Sequence, residues 1–176
     1  TSDQVSIVYG SHDAKATDDA GIMKCTEAGS SQQIYTGYNS DGTVAYYIYA
    51  VAYNDMTSST YGASSAEEFL SWLTGIEDGV PLIVLCHVPI HYKRKDNYGA
   101  TYWNQALNYA ATGKDSPEST NEIIRNVVFL HGHNHTIEQV EYYYEPGETM
   151  SVQNPSGESG TTSTIFYTYI TAGYLK

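Results

Sequence analysis

Histidine is the residue type in this chain whose placement suggests chemistry. The chain has 176 residues and six histidines, and each lies just past an apolar stretch of strand length. A single histidine in such a place is more often structural, but several delivered together are harder to explain in that way. Neutral imidazole is the commonest metal ligand in proteins, and imidazoles from separate strands can share one ion. The six residues are His12, His87, His91, His131, His133 and His135.

The spacing within His133-Asn134-His135 adds to this pattern. In extended backbone, residues i and i+2 point to the same side, so these two imidazoles can serve two adjacent ions or one ion from two directions. Gly132 precedes them and removes a side chain where the backbone must approach the ions closely. The segment therefore predicts a metal site.

Three apolar segments lead into these histidines. Val5–Tyr9 runs into Gly10-Ser11-His12-Asp13, Leu82–Cys86 runs into His87, and Asn126–Leu130 runs into His131. The second and third segments have the continuous apolar character of buried parallel strands. In open α/β sheets, ligands bind outside the carboxyl ends of the strands. We therefore expect the histidines to meet at one edge of a sheet.

Helices are predicted between these strands. Ser65-Ala66-Glu67-Glu68 is a capping-box pattern, and apolar residues recur after it from Phe69 to Ile76 at helical spacing. Trp103–Ala111 is predicted to be helical, and so is Glu118–Arg125, with Ser116 or Asp115 as its cap.

The remaining strands complete an α/β interpretation with a mixed sheet. Tyr46–Tyr53 is rich in aromatic and β-branched residues and predicts a strand. Gln139–Tyr144 and Ile165–Ile170 alternate like antiparallel strands, and a connection rich in Gly, Ser and Thr runs from Asn154 to Ser163. No linker or repeat divides the chain, so we expect one domain over residues 1–176.

Composition restricts the partners and the location. The formal net charge of -12 repels polyanions, which argues against duplex nucleic acid but not against a small phosphate ester held by cations. The longest apolar run, Pro81–Ile90, is too short to cross a bilayer, so no membrane partner is expected. The 18 tyrosines and scarce lysine resemble secreted bacterial proteins, from which we expect an extracellular or cell-surface location. Cys86 lies within the apolar run and is expected to be a buried free thiol.

Three motifs resemble those of the calcineurin-like metallophosphoesterase family. Gly132-His133-Asn134-His135 resembles the family's closing Gly-His-x-His motif, and His87 resembles its isolated histidine. Gly10-Ser11-His12-Asp13 resembles its Gly-Asn-His-Asp/Glu motif, with Ser in place of Asn. The resemblance covers about residues 5 to 140, with the motifs in the family's order. It implies the family's α-β-β-α sandwich with mixed sheets, here the carboxyl-terminal part, incomplete at the amino terminus.

The resemblance also implies a metal-ligand set. His87 and His133 would ligate one ion and His135 the other, with two divalent or trivalent ions in all, zinc, iron or manganese. Ser11 would stand where the family uses an Asn carbonyl as a ligand, and a serine hydroxyl is a shorter and weaker donor.

The implied reaction is the hydrolysis of a small phosphoric ester. His12 would stabilise the transition state or protonate the leaving group, and Asp13 would orient it. His91 and His131 are open to two interpretations, as groups that orient the metal ligands or as polar loop residues. The basic run Lys93-Arg94-Lys95 is equally open, as a phosphate-binding island or a solvated loop.

The sequence lacks two motifs that are typical of the family. The family's Asp-x-His and Gly-Asp-x-x-Asp motifs, which supply the bridging carboxylate, do not occur in this sequence. One explanation is an upstream segment that carries them; the other is a degenerate, non-catalytic extracellular module that keeps the fold. Under the first, this chain alone is inactive and its sheet edge pairs with the upstream segment or with a second chain.

Overall fold

The computed structural model describes residues 30–92, 97–115, 118, 121–132 and 142–171. Within them the chain is α/β, with a six-stranded sheet, a separate two-stranded hairpin and three helices. The predicted α/β class with a mixed sheet is confirmed at this level. The strands are β1 (Gln32–Tyr38), β2 (Val44–Val51), β3 (Leu82–Cys86), β4 (Val127–His131), β5 (Tyr143–Tyr144), β6 (Thr149–Gln153), β7 (Gly160–Thr164) and β8 (Thr168–Thr171), and the helices are α1 (Tyr53–Thr57), α2 (Ser59–Leu73) and α3 (Ala100–Thr112).

The large sheet has the strand order β1-β2-β3-β4-β8-β5. Strands β2, β3, β4 and β8 are mutually parallel, and β1 and β5 flank them in antiparallel pairing. The two apolar runs predicted as buried parallel strands are β3 and β4, at the centre of the sheet. The strand predicted over Tyr46–Tyr53 begins and ends two residues earlier, because Tyr53 already belongs to α1.

Aromatic side chains fill the core between the sheet and the helices. Tyr49 on β2 packs edge-on against Phe69 of α2, with ring centroids 4.9 Å apart, and its ring lies 6.3 Å from that of Trp103 on α3. Phe69 and Trp103 are fully buried. Burial of large aromatic rings is a major source of core stabilisation. Alternate sheet residues, including Leu82, Val84 and Phe129, line this helix-facing side of the sheet.

Helix α2 begins six residues before the predicted capping box. Its cap is Ser58, whose hydroxyl accepts a hydrogen bond from the backbone N–H of Tyr61 at 3.3 Å. Ser65 is buried inside the helix and its hydroxyl donates to the carbonyl of Gly62. The capping-box prediction was wrong because Ser58 already supplies a side-chain acceptor at the true start. The apolar spacing was informative nonetheless, since Phe69 and Leu73 are buried.

The helix predicted over Glu118–Arg125 is absent from its described residues, 118 and 121–125. The carbonyl of Ala111, at the end of α3, accepts hydrogen bonds from the backbone N–H groups of Ile124 and Arg125 at 2.8 and 3.2 Å. The Arg125 guanidinium donates to the carbonyls of Val80 and Glu77. The backbone N–H groups of Ile124 and Arg125 are therefore bonded to α3 and not to carbonyls of their own segment. The helix predicted over Trp103–Ala111 is confirmed as part of α3.

The carboxyl-terminal region differs most from expectation. Strand β7 occupies part of the predicted connection from Asn154 to Ser163, and it pairs with β6 as a hairpin. Asn108 of α3 donates to the carbonyl of Thr164 at 3.1 Å and accepts the backbone N–H of Phe166 at 2.8 Å. This contact ends the hairpin and delays the start of β8 to Thr168. Residues 139–141 of the strand predicted over Gln139–Tyr144 lie outside the described part, and β5 is its carboxyl end.

The second face of the parallel strands is also apolar but less buried. Ile83, Leu85, Val128 and Leu130 are half-buried there, whereas their neighbours on the helix-facing side are buried.

Among the described helices, none is long and apolar enough to cross a membrane. Cys86 is a buried free thiol, as predicted.

Candidate functional site

The carboxyl ends of the parallel strands form one row across the sheet. Val51 of β2 pairs in register with Cys86 of β3, Cys86 with His131 of β4, and His131 with Thr171 of β8. The residues that follow this row therefore emerge at one edge. The prediction that β3 and β4 end at the same edge is confirmed, and His87 follows β3 there; the residues that directly follow Gly132 lie outside the described ones. The strand predicted over Val5–Tyr9 lies outside them.

His87 is the first residue past β3 and is half-buried. Its ring centroid lies 6.4 Å from that of Tyr53, the first residue of α1. Gly132 is its neighbour past β4, and a Cβ placed on Gly132 would lie 3.8 Å from Nδ1 of His87. That distance is ordinary van der Waals contact, so His87 alone does not require glycine at this position. The sequence-based reason for a glycine here, a close approach of the backbone to metal ions, stays a prediction.

The other predicted site residues, Ser11, His12, Asp13, His133 and His135, lie outside the described residues, as do positions 93–95 of the basic run. His133 directly follows Gly132, the last described residue directly after β4. Within the described part, no group of three or more His, Cys, Asp or Glu side chains is arranged to hold a metal ion. His87 is thus the one predicted ligand whose surroundings can be described.

His131 ends β4 and is fully buried beneath the edge. Its Nδ1 lies 2.9 Å from the carbonyl oxygen of Gly132, and its Nε2 lies 3.0 Å from Oγ1 of Thr171. A carbonyl oxygen can only accept, so Nδ1 carries the proton and Nε2 accepts a hydrogen bond from the Thr171 hydroxyl. His131 is therefore not a polar loop residue. It is a strand residue bonded to the peptide group that precedes His133.

His91 lies next to His131, with ring centroids 5.4 Å apart. Its Nδ1 is 2.7 Å from the hydroxyl of Tyr169, and this hydroxyl also accepts the backbone N–H groups of Ile90 and His91. Burial raises the pKa of Tyr169 well above its ordinary value, so the phenol stays protonated and donates to Nδ1 of His91. The His91 ring also stacks on Tyr142, with centroids 4.1 Å apart.

Cys86 lies in the same row, and its burial makes it a poor nucleophile at neutral pH. Burial raises the pKa of its thiol to about 12. A thiol with that pKa holds almost no thiolate, which is the nucleophilic form. Thiol-based nucleophilic catalysis at this edge is therefore disfavoured.

Ser31 ties the start of β1 to this edge. Oδ2 of Asp55, in α1, accepts hydrogen bonds from the Ser31 hydroxyl at 2.6 Å and from the Ser31 backbone N–H at 3.2 Å. The Ser31 hydroxyl in turn accepts the backbone N–H of Ala52, directly after β2, at 3.0 Å. Residue 30 is therefore held beside the carboxyl edge. The segment containing His12 joins the described chain at that point.

Sequence reasoning missed Tyr169, Thr171, Ser31 and Asp55. Tyr169 and Thr171 are two residues apart on β8 and lie on the same face of the sheet. Their contacts with His91 and His131 depend on the pairing of β8 with β4, which the sequence does not show. The Ser31–Asp55 pair spans 24 residues and carries no local signal.

A groove of about 330 Å³ lies between α3 and the β6–β7 hairpin. Its lining is rich in amide and hydroxyl groups, including those of Asn104 and Asn108. These two amides already bind the hairpin, since Asn104 donates to the Ser163 hydroxyl and Asn108 to the carbonyl of Thr164. The groove thus lies at a joint between α3 and the hairpin, where these two amides already have partners within the protein.

No family model matches the chain, and neither a curated protein nor a solved structure matches it.

Proposed function

We propose that this chain forms the carboxyl-terminal part of a metal-dependent phosphoesterase with a dinuclear site completed by residues upstream. One observation carries the proposal: β3 and β4 are adjacent, parallel and in register at Cys86 and His131. Each strand is followed by a segment that contains a predicted ligand, His87 after one and His133 after the other. Two imidazoles from neighbouring parallel strands can share one ion.

The fold is consistent with a layered sandwich. Helices α2 and α3 pack against one side of the sheet through Phe69 and Trp103. The other side carries half-buried apolar residues, which include Ile83, Leu85 and Leu130. Parallel sheets are normally covered on both faces. A second sheet built around upstream residues would cover this face and complete an α-β-β-α sandwich.

The donor set suits borderline metals. His87 and His133 would hold one ion and His135 the other, with Ser11 as a weak additional donor, and imidazole together with carboxylate suits zinc, iron or manganese. When bound, the ions would supply Lewis acidity to the phosphoryl oxygens and lower the pKa of water. The carboxylates that such ions require would come from the upstream segment.

The remaining roles belong to the chain's own acid–base groups. His12 would give a proton to the departing ester oxygen, and Asp13 would hold the His12 ring in the required orientation. The substrate would be a small phosphate ester, since the net charge of -12 disfavours a duplex nucleic acid.

The second candidate is a non-catalytic extracellular module that keeps the fold. It is favoured by Ser11, which replaces the Asn of the resembled motif, and by the absence of both aspartate motifs from this sequence. We propose a location outside the cell for either function, supported by the high tyrosine and low lysine content. Fractionation of the source cells checks the location, and recovery from the cytosol alone would contradict it.

The experiment compares residues 1–176 with a protein extended upstream, each assayed on an aryl phosphate with added manganese or zinc. We expect metal-dependent hydrolysis only in the extended protein, because the shorter chain lacks the recognised carboxylate ligands. In the extended protein, His87→Ala and His133→Ala should lose bound metal and activity together. His12→Ala should keep most of its metal and lose turnover by about 10²–10⁴-fold. Gln105→Ala, on an exposed position of α3, is the control and should change neither.

Three results would contradict the proposal. Equal activity in both proteins would show that the upstream ligands are unnecessary. Full metal content in His87→Ala would remove His87 from the ligand set. An inactive, metal-free extended protein would favour the non-catalytic module.

A further inference from the structure

We propose that the groove between α3 and the β6–β7 hairpin is a binding site for a neutral polyhydroxylated ligand, such as a single sugar residue. Its volume of about 330 Å³ is at the lower end of the range of about 300–1,000 Å³ for small-molecule sites. That volume suits one ring-sized molecule. The site is independent of the proposed metal centre, because its walls are built from described residues, none of them a predicted metal ligand.

One wall of the groove is a polar stripe on α3. Thr101, Asn104 and Asn108 recur at the spacing i, i+3, i+7 and therefore lie along one face of the helix. Asn104 and Asn108 are buried, with 4% and 5% of their surface exposed. A helix face that only packs against a neighbour is normally apolar, because buried polar groups are unfavourable without hydrogen bonds. The stripe therefore places polar groups where packing alone does not need them.

The two amides of this stripe are held in fixed orientations. A carboxamide offers two N–H donors and two acceptor lone pairs. Asn104 donates to the Ser163 hydroxyl at 3.0 Å and accepts the Tyr167 hydroxyl at 2.9 Å. Asn108 likewise donates to one backbone carbonyl and accepts one backbone N–H at the end of the hairpin. Among the described contacts, each amide therefore keeps a second donor and a second acceptor position, and neighbouring hydroxyl groups of a ligand can pair with both kinds.

The opposite wall of the groove comes from the hairpin. Thr161 pairs directly with Val152, so their side chains lie on the same face of the hairpin, and both residues line the groove. The exposed Thr161 hydroxyl donates to Oδ1 of Asn154 at 2.7 Å, which leaves its oxygen able to accept. Val152 is the one aliphatic residue among the described lining residues. A small apolar patch among hydroxyl and amide groups matches a sugar ring, which presents C–H groups beside its hydroxyls.

Charge in the groove disfavours ionised ligands. Asp115 lies exposed just past the end of α3 and is the one charged residue among the described lining residues. Its carboxylate can accept two hydroxyl groups, and hydrogen bonds to a charged acceptor are stronger than neutral ones. It would repel a phosphate or a carboxylate, as does the net charge of -12. One carboxylate without a second is also a poor site for a divalent cation. A neutral molecule with several hydroxyl groups fits best.

NMR titration of residues 1–176 tests for binding, with the methyl glycosides of glucose, galactose, mannose and N-acetylglucosamine as probes. At least one probe should shift the side-chain amide signals of Asn104 and Asn108. The corresponding uronate should bind more weakly, because Asp115 repels its carboxylate. No amide shift with any of the four probes at about 100 mM, far above a dissociation constant of about 1 mM, would overturn the proposal. Tighter binding of the uronate would overturn it as well.

Two conservative variants and a matched control locate the binding. Asp115→Asn removes the charge and should weaken binding of the best probe by about 5–10-fold, and Thr161→Val removes one hydroxyl and should weaken it by about 2–10-fold. Both positions are exposed, so the fold should be kept. Thr149→Val is the control, because Thr149 is exposed three residues before Val152 and therefore lies on the other face of β6.

The control should bind the probe as the unaltered chain does. Unchanged binding in both Asp115→Asn and Thr161→Val would place the sugar outside the groove and overturn the proposal. An equal loss in Thr149→Val would overturn it too, since the effect would then not belong to the groove. Each of these results leaves the metal-dependent phosphoesterase proposal as it stands, because no residue is shared between the two sites.

Discussion

Tyr169→Phe is the substitution for which the structure predicts the clearest loss of stability. The phenol is fully buried on β8, and its oxygen accepts the backbone N–H groups of Ile90 and His91 at 3.1 and 3.4 Å. It also donates to Nδ1 of His91 at 2.7 Å. Phenylalanine keeps the ring and removes all three contacts. The packing of Tyr169 on Phe129, with parallel rings 5.5 Å apart, should remain.

The expected loss follows from the cost of stranded polar groups. A buried donor or acceptor that loses its partner costs about 1–3 kcal/mol. The Ile90 N–H and Nδ1 of His91 are the two groups with good geometry, and partial relaxation reduces their sum. We expect the free energy of unfolding to fall by about 2–3 kcal/mol. For a chain of this size, that corresponds to a melting temperature lower by about 4–12 °C.

Tyr167→Phe provides a matched comparison two residues away. Tyr167 is equally buried, but its hydroxyl makes one described hydrogen bond, to Oδ1 of Asn104 at 2.9 Å. Its removal strands one buried acceptor, where Tyr169→Phe strands two groups, so it should cost about 1–1.5 kcal/mol, roughly half as much. Urea unfolding followed by circular dichroism measures both variants. If Tyr167→Phe proved as costly as Tyr169→Phe, the Tyr169 hydroxyl would not be the anchor of the loop after β3.

Three further predictions test other parts of the fold. Gly99→Ala should lower the free energy of unfolding by about 3 kcal/mol or more, because its Cβ would meet the carbonyl oxygen of Asp55 below contact distance; thermal unfolding measures this. Ser58→Ala should cost about 1 kcal/mol and Ser65→Ala much less in urea titrations, since only Ser58 caps α2; equal costs would restore the capping box at Ser65. Stability should fall as the pH rises past the ordinary tyrosine value of 10.0, because burial raises the pKa of Tyr169 in the folded state while the unfolded chain ionises freely; circular dichroism and tyrosinate absorbance should change together.

Short sequence patterns predicted the strands made of consecutive apolar residues and the helix face with apolar residues at helical spacing. The runs Leu82–Cys86 and Val127–Leu130 are recognisable because a strand covered on both faces needs apolar side chains at every position. The spacing of Phe69 and Leu73 identified the buried face of α2. The predicted helix ending at Arg125 failed because the backbone N–H groups of Ile124 and Arg125 donate to the carbonyl of Ala111, at the end of α3. No window of sequence around Arg125 contains that information.

The residues of the candidate site fall into two groups, those that local sequence predicts and those that depend on the order of the strands. The outer residues, such as His87, follow strand ends directly, so strand prediction is sufficient to identify them. The inner residues depend on the order of strands in the sheet. His131 receives its hydrogen bond from Thr171, 40 residues along the chain, because β8 returns beside β4 after the β6–β7 hairpin. His87 can therefore be found from the strand directly before it, whereas the hydrogen bond to His131 depends on a residue 40 positions away.

This division explains why a histidine could stand at position 131 without acting as a ligand. The register row Val51, Cys86, His131 and Thr171 is the last row of hydrogen-bonded sheet, and the predicted ligands begin one or two residues beyond it. Side chains within the row point into the helix-facing core, where a metal ion would lack access to a substrate in water. Polar groups there hold the backbone that leaves the sheet. His131 is within hydrogen-bonding distance of the Gly132 carbonyl, and the Tyr169 hydroxyl accepts the backbone N–H of Ile90. The buried polar row thus comes directly before the predicted ligands along each strand, and its described contacts hold the loop after β3 and the Gly132 carbonyl.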